Sequence, residues 1–478
     1  MRIKNIISLM KKILLPLMVF TGLFKTYAQT NINVFSQIVF YDGYASNVSN
    51  PVPANTIRLA NYRYAKKLTD AELNSFQNKI TMNVSIGALC DNYDRIGGVH
   101  IALVPKNQLT YSLSDTNVKR IEIGRYITPF MNKNISPTSV PYTYNVDNLY
   151  SIFSNTILRN TYDIYVELDV FGVPYAANTQ VAGCSGRNDV FAGTLDFVTS
   201  NDPAITTSYN NLLPLLDSNE LNNYNNTDQP GQTVRLVNFN LNQSTDNAKF
   251  FIISTPHGAG SGGEEYVRRQ NFVSLDNTQV LTFTPGGKSC EPYRMYNTQG
   301  NGIYGANAQN QAWWTSWNNW CPGDSVPIRS FTTPTLSGGS HTLKYEVPAA
   351  VFNGQDGRVV LSIYMQSNNQ LLSVKDVSMV DVSVFPNPTA DFVNVRSDKK
   401  VRNVVIYSLD GRRLNETKDS KIDFTAYPSG NYLLGITLEV ELSLSIKSLK
   451  SSLNIHYNKK REANWFLFLF DVLFYFRN

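Results

Sequence analysis

The stretch CDNYDR, residues 90 to 95, places two carboxylates, an arginine and one of only four cysteines between two runs that alternate like strands. Carboxylates held in unlike environments can divide a proton-transfer reaction between them. The plainer alternative is a polar turn closed by a local ion pair. A second stretch, YDIYVELDV at 162–170, puts Tyr162, Ile164, Val166 and Leu168 on one face of a strand and Tyr165, Glu167 and Asp169 on the other. That acidic face is either solvated or lines a cleft. A third, HGAGSGGEEYVRR at 257–269, leads from a glycine-rich loop into Glu264 and Glu265, followed by Tyr266 and Arg268. Glycines let backbone approach a ligand closely, and acids beside arginines can be held in a fixed ionisation state. The glycines do not follow the strand-to-helix spacing of a phosphate loop, so a nucleotide site is rejected.

A fourth stretch, QAWWTSWNNWCPG at 311–323, holds Trp313, Trp314, Trp317 and Trp320 out of five tryptophans in the chain. Core packing accounts for one or two. Four in a short Asn-rich segment predict a surface aromatic platform, suited to the apolar faces and hydroxyl fringes of sugars. Cys290 and Cys321 flank this loop and are expected to staple it, leaving Cys90 and Cys184 as the other pair among three possible connectivities.

The elements that must position these residues read as β-strands. Residues 80–86 alternate with period two, as do Val99, Ile101 and Leu103, Ile121 to Ile123, and Tyr162 to Asp169. The same style returns at 234–241, 250–254, 279–283, 342–347 and 359–365. Asn, Gly and Pro clusters separate the runs, and 68–78 predicts one short helix. The pattern predicts an all-β chain with two tandem antiparallel sandwiches, 30–200 and 205–375, joined by a polar linker at about 200–231.

Length and composition bound the rest. A chain of 478 residues has room for about three domains. Arg2, Lys4, Lys11 and Lys12 precede an apolar run, and Thr26-Tyr27-Ala28 offers a cleavage site, so 1–28 is read as a secretory signal peptide. That run is too short to span a bilayer comfortably. The leader carries five basic residues and no acid, so its removal lowers the formal charge from +5 to zero. Nothing then points to nucleic acid. No cysteine stands in a CxxC spacing, and His100, His257, His341 and His456 are scattered. No metal or cofactor is expected.

Three segments, in order, resemble the peptide-N-glycosidase F family: CDNYDRIGGVHI to IEIGRYITPF, then IYVEL, then the HG…GGEE loop through NWCPGDSVPIR. The resemblance covers about 32–375 and implies two jelly-roll domains. It implies an amidase that hydrolyses the bond between asparagine and the first N-acetylglucosamine of N-glycans on glycoproteins or glycopeptides, without a cofactor. Carried over residue by residue, it makes Asp94 the principal catalytic acid, with Glu264 and Glu167 beside it. Glu265 is the alternative to Glu264 if the loop shifts by one. Arg95, Glu265, Arg268, Trp317 and Trp320 would contact substrate. The family's arginine three residues before the Trp-Cys-Pro-Gly tryptophan is Trp317 here, and its cysteines around the acidic motifs are mostly missing. Competing readings are a non-catalytic glycan-binding paralogue and another secreted carbohydrate hydrolase. A copper monooxygenase with two such sandwiches would need more histidines.

From Ser378 onward, VSVFPNPTADFVNV, VVIYSLDGRRL and YPSGNYLLGI resemble the C-terminal sorting domain of the type IX secretion system of Bacteroidetes. This unit, 378–437, implies a further small β-sandwich, engagement of that secretion machinery, and export through the periplasm to the medium or the cell surface. Asp410-Gly411 reads as a hairpin. A monomer is expected. The tail 438–478, ending in NWFLFLFDVLFYFRN, does not fit this domain and is read as a frame-shifted ending, a reading that sequencing the 3′ end of the gene tests.

Overall fold

The computed structural model describes residues 29–206, 209–222, 233–260, 263–300, 303–316, 318–352, 357–368, 382–397, 400–408, 412–438 and 466–474. The expected leader, Trp317, Asp410-Gly411 and most of the tail lie outside them. The chain divides into two compact units, Met1–Val377 and Ser378–Asn478.

The first unit opens with nine strands: β1 (Thr30–Tyr41), β2 (Thr56–Ala60), β3 (Arg63–Lys67), β4 (Lys79–Ala88), β5 (Ile96–Pro105), β6 (Lys119–Ile127), β7 (Ser139–Asn145), β8 (Tyr162–Val170) and β9 (Asp189–Ser200). Alternation shapes them. In β4, Ile80, Met82, Val84, Ile86 and Ala88 are buried while their neighbours are half-buried or exposed. One sheet runs β1-β9-β4-β7, and all its pairings are antiparallel. The expected helix is Asp70–Ser75, started by a capping box between Thr69 and Glu72.

Nine more strands follow: β10 (Asn211–Asn222), β11 (Val234–Leu241), β12 (Thr245–His257), β13 (Asn271–Leu275), β14 (Thr278–Phe283), β15 (Ser325–Val326), β16 (Arg329–Leu336), β17 (Gly339–Glu346) and β18 (Arg358–Asn368). They form the sheets β10-β18-β12-β16 and β11-β17-β13-β14, whose facing side chains make a second core. The expected linker is corrected here, because β10 occupies much of it. Leu212, Leu213, Leu215, Leu216 and Leu221 are buried, and Pro214 sits next to a register shift on an edge strand, where a missing N–H is tolerated. The second sheet of the first sandwich runs β15-β6-β5-β8-β3-β2, so the short β15 is contributed by the later part of the chain.

Strand β5 is buried along nearly its whole length. Val99, Ile101 and Leu103 enter the first core, whereas His100 on the opposite face is also fully buried. The second sandwich covers that face. Its Asp217, on β10, accepts from His100 Nδ1 at 2.7 Å, and Asp169 lies 2.9 Å from Nε2. Burial and the neighbouring Arg63 work against protonating His100, but the two carboxylates outweigh them and push it up to about 10. Arg125, fully buried on β6, bonds Glu122 and reaches Thr255 Oγ1 at 2.8 Å and the Val360 carbonyl at 2.7 Å on the second sandwich.

Glu167 belongs to this charged layer. Its carboxylate accepts from Arg63 Nε at 2.7 Å, Tyr111 Oη at 2.7 Å and Arg120 Nε at 3.1 Å, and the side chain has no exposure. Burial raises its pKa, but Arg63 and Arg120 more than reverse that, and the group stays ionised. Glu167→Gln leaves two guanidinium groups short of a counter-charge, with an expected loss of about 3–5 kcal/mol in denaturant unfolding.

In the second unit, β19 (Val382–Phe385), β20 (Phe392–Ser397), β21 (Val401–Ser408), β22 (Arg413–Thr417), β23 (Lys421–Asp423), β24 (Gly430–Leu438) and β25 (Phe466–Phe474) form the sheets β19-β20-β23 and β22-β21-β24-β25. Strands β21 and β22 pair antiparallel across the expected hairpin. The apolar end of the tail supplies β25, which pairs antiparallel with β24.

Candidate active site

The disulfide between Cys90 and Cys184 anchors the turn before β5, and the Cys90 N–H donates to the Asp189 carbonyl at 2.9 Å. The local ion pair of this turn is Asp91 with Arg95. Buried Asp91 accepts from Arg95 Nε at 2.6 Å, from the Val173 N–H at 2.8 Å and from the Tyr93 N–H at 2.9 Å. Arg95 thereby braces the turn, and its guanidinium also lies 5.7 Å from the centre of the Tyr93 ring. The second carboxylate of the motif is left over. Among the described residues, no other residue donates a hydrogen bond to the Asp94 carboxylate. It is half-buried, and the pocket around it displaces enough water to push its pKa up to about 7. Burial is the main cause, Glu265 adds to it, and Arg95 opposes it.

Glu265 arrives from the loop after β12. Gly258, at φ 112°, turns the chain, and its N–H donates to Glu265 Oε2 at 3.2 Å. Tyr266 donates its hydroxyl to the same carboxylate, and burial together with Glu265 keeps that hydroxyl protonated. Glu264, one residue earlier, goes elsewhere. It is 1% exposed and accepts from Arg269 Nε at 2.9 Å and the Val351 N–H at 2.6 Å. Asn319 Nδ2 ties the loop down by donating to the carbonyls of Glu264, Glu265 and Val267 at 2.9, 2.7 and 3.2 Å. Arg268 spends its guanidinium on the Pro285 and Thr315 carbonyls, at 2.9 and 2.7 Å. Gly286, at φ +65°, lets the Asn318 carbonyl approach where any Cβ would collide.

The tryptophan loop is stapled by Cys290–Cys321. The expected four-ring surface platform does not form. Trp314 is wholly buried among Tyr293, Ile303, Tyr304 and the disulfide, with its Nε1 donating to Glu291 at 2.9 Å. Trp313 packs edge-on against it and is 38% exposed. Trp320 Nε1 donates to the Pro256 carbonyl at 3.0 Å, which fixes its ring beside His257.

These three segments meet in one small pocket, with about 210 Å³ of empty space that is partly open to solvent, lined by Asp94, Glu265, Tyr266, Ile303, Asn318, Asn319, Trp320 and Pro322. Two carboxylates, one with a pKa raised to neutrality, thus face a common space beside an aromatic wall. Of the residues expected from the sequence, Asp94, Glu265 and Trp320 converge here. Arg95 and Arg268 hold the two loops, and Glu264 is locked behind the second. Glu167 pairs with His100, four residues along β5 from its first residue, roughly 13 Å from the turn. Sequence reasoning missed Asn319, for which the doublet of asparagines before Trp320 was the available signal.

Among the described residues, one group could hold a metal ion: His100, Glu122 and Asp217, with ligand atoms within 4.8 Å of one another. Both His100 nitrogens are already engaged by carboxylates, and Arg63 and Arg125 stand alongside, so the charge a cation would supply is present.

Family descriptions match most of the first unit. "Peptide-N-glycosidase F, N terminal" matches residues 31–185, and "Peptide-N-glycosidase F, C terminal" matches 223–366. "Secretion system C-terminal sorting domain" matches 383–449. No curated protein sequence matches. Among solved structures, PNGF-II in two crystal forms is similar at 18% and 17% identity, with TM-scores of 0.54 and 0.53. Each match covers 73% of this chain, and 68% and 66% of the PNGF-II chains. PNGase F, described as a glycosylasparaginase from Flavobacterium meningosepticum, aligns at 15% identity over 73% of this chain and 98% of its own, with a TM-score of 0.46.

Proposed function

We propose that this chain, which belongs to the peptide-N-glycosidase F family and ends in a type IX secretion sorting domain, hydrolyses the amide between asparagine and the first N-acetylglucosamine of N-glycans on exported or external glycoproteins and glycopeptides. The observation that carries the reading is the pairing of Asp94, raised to about 7, with Glu265 in one pocket walled by Trp320. An amide needs an activated water and a proton for its nitrogen leaving group. A carboxyl group titrating near neutral pH can do both in turn.

Asp94, ionised, takes a proton from water as its oxygen attacks the amide carbonyl carbon. The resulting tetrahedral adduct collapses as Asp94 returns that proton to the nitrogen, and the C–N bond breaks. The products are aspartate on the peptide and a glycosylamine, which releases ammonia in solution. Glu265, held by Gly258 and Tyr266, orients the water and the first sugar, and its charge keeps Asp94 basic enough to accept the proton. The apolar sugar face would rest on Trp320.

The test is mass analysis of the peptide product after incubating the secreted chain with a denatured N-glycoprotein. Conversion of Asn to Asp with release of the whole glycan is the expected result. One N-acetylglucosamine left on Asn would mean a glycosidase, and binding without cleavage would mean a glycan-binding protein.

A further inference from the structure

A second cavity, with about 440 Å³ of empty space partly open to solvent, shares Asn319 and Trp320 with the acid-lined pocket. Nothing in the proposed amide chemistry uses it. Its other walls include Lys288, Asp324 and Arg329. Lys288 and Asp324 pair with each other, and Asp324 also accepts from the Tyr293 hydroxyl at 2.6 Å. Their charges cancel locally.

Arg329 is different. Among the described residues no hydrogen-bond acceptor and no carboxylate meets its guanidinium, which lies 4.0 Å from the centre of the Phe283 ring. The side chain is half-buried at the start of β16, and burial depresses its pKa with only Tyr345 acting the other way. A partly desolvated cation without a counter-charge is costly, and a bound carboxylate would offset that cost through charge-assisted hydrogen bonds. Stacking on Phe283 leaves the edges of the guanidinium plane open for such a contact. Asn319, in the partition between the cavities, adds a buried Oδ1 with no partner. Its Nδ2 is committed to three loop carbonyls, so the free atom is the acceptor. An acceptor there suits a backbone N–H of a peptide crossing from one cavity to the other.

We propose that this cavity is a peptide subsite, in which Arg329 binds the carboxylate of an acidic residue close in sequence to the glycosylated asparagine. The assignment rests on the amidase reading for the identity of the substrate. An extended peptide advances about 3.3–3.6 Å per residue, which keeps an acid one to three residues away within reach of an adjoining cavity.

The experiment measures binding rather than turnover, using the full secreted chain carrying Asp94→Asn so that ligand is not consumed. The probes are glycopeptides with one neutral glycan and either Glu or Gln at each of the three positions before the asparagine. A further pair, with Gln throughout, carries either a glycan with carboxylate-bearing terminal sugars or its neutral counterpart. A Glu peptide is expected to bind about tenfold more tightly than its Gln partner. The preference should shrink as salt is raised, disappear in Arg329→Gln and survive in part in Arg329→Lys. Should Arg329→Gln fail to fold, the Glu-against-Gln comparison and its salt dependence on the Arg329-containing protein decide. Equal affinity for Glu and Gln peptides overturns the proposal, as does a preference shown only for the acidic glycan. If the native chain cleaves no glycopeptide while the Glu preference holds, the amidase reading fails and the subsite stands.

Discussion

Asp94→Asn is expected to reduce kcat for glycan release by about 1,000-fold or more while making the folded protein more stable at neutral pH. In the proposed mechanism the first effect follows from removing the group that both accepts and returns the proton. The second follows from the raised pKa. Between the ordinary carboxyl value of 3.8 and about 7, the folded chain holds a proton that the unfolded chain releases. Stability contributed by that proton is therefore present below the unfolded value and lost as pH rises through about 7. Asparagine carries no such charge. Three pH units correspond to at most about 4 kcal/mol, and because Asp94 is half-buried and faces water on one side, roughly 2 kcal/mol is expected. Thermal unfolding of the two proteins at pH 8 and pH 4 checks it: the mutant's advantage should appear at pH 8 and vanish at pH 4. A loss of activity accompanied by a loss of stability at pH 8 would instead make Asp94 a structural residue.

Substituting the two adjacent glutamates should produce opposite kinds of defect. Glu265→Gln removes the negative charge that helps to raise Asp94, so kcat should fall about 100-fold and the ascending limb of the pH–rate profile should move from near 7 toward acid, with little change in unfolding. Glu264→Gln removes the counter-charge of Arg269, which is itself about a quarter exposed, and weakens the bond to the Val351 N–H. About 2–3 kcal/mol of stability should be lost, with kcat of the remaining folded protein nearly unchanged. Both variants need one denaturation curve and one pH–rate profile. If Glu264→Gln were the one that moved the pH profile, the catalytic role would pass to that residue.

Much of this protein is legible before folding. The alternation of Ile80 to Ile86 and of Val234 to Leu241 marks strands because side chains on a pleat alternate between faces, and the buried set of β4 follows that rule residue by residue. The pairing of Cys290 with Cys321 was expected from their place on either side of the tryptophan loop. The expectation for Asp94 rested on the resemblance of its turn to that of the family. Where the reading fell short, the cause is long-range. Residues 211–222 look polar at their ends, and only the docking of Leu213, Leu215, Leu216 and Leu221 into the second core, with Leu212 in the first, makes them β10. Four tryptophans suggested one surface, yet the disulfide and Tyr304 enclose Trp314.

By itself, then, the sequence determined the β class and the two sandwiches, because these are written in local periodicity, and its resemblance to known families marked the sorting domain. The tertiary structure alone decided which glutamate meets Asp94. Neighbouring residues in a loop leave the backbone in different directions, and the hydrogen bonds from Asn319, more than fifty residues away in sequence, select the direction that brings Glu265 into the pocket and Glu264 to Arg269. It also decided the fate of Glu167. Whether the outer face of β8 is a solvated surface or a buried ionic layer depends on a second sandwich laid against it, and no pattern within nine residues of strand can encode that.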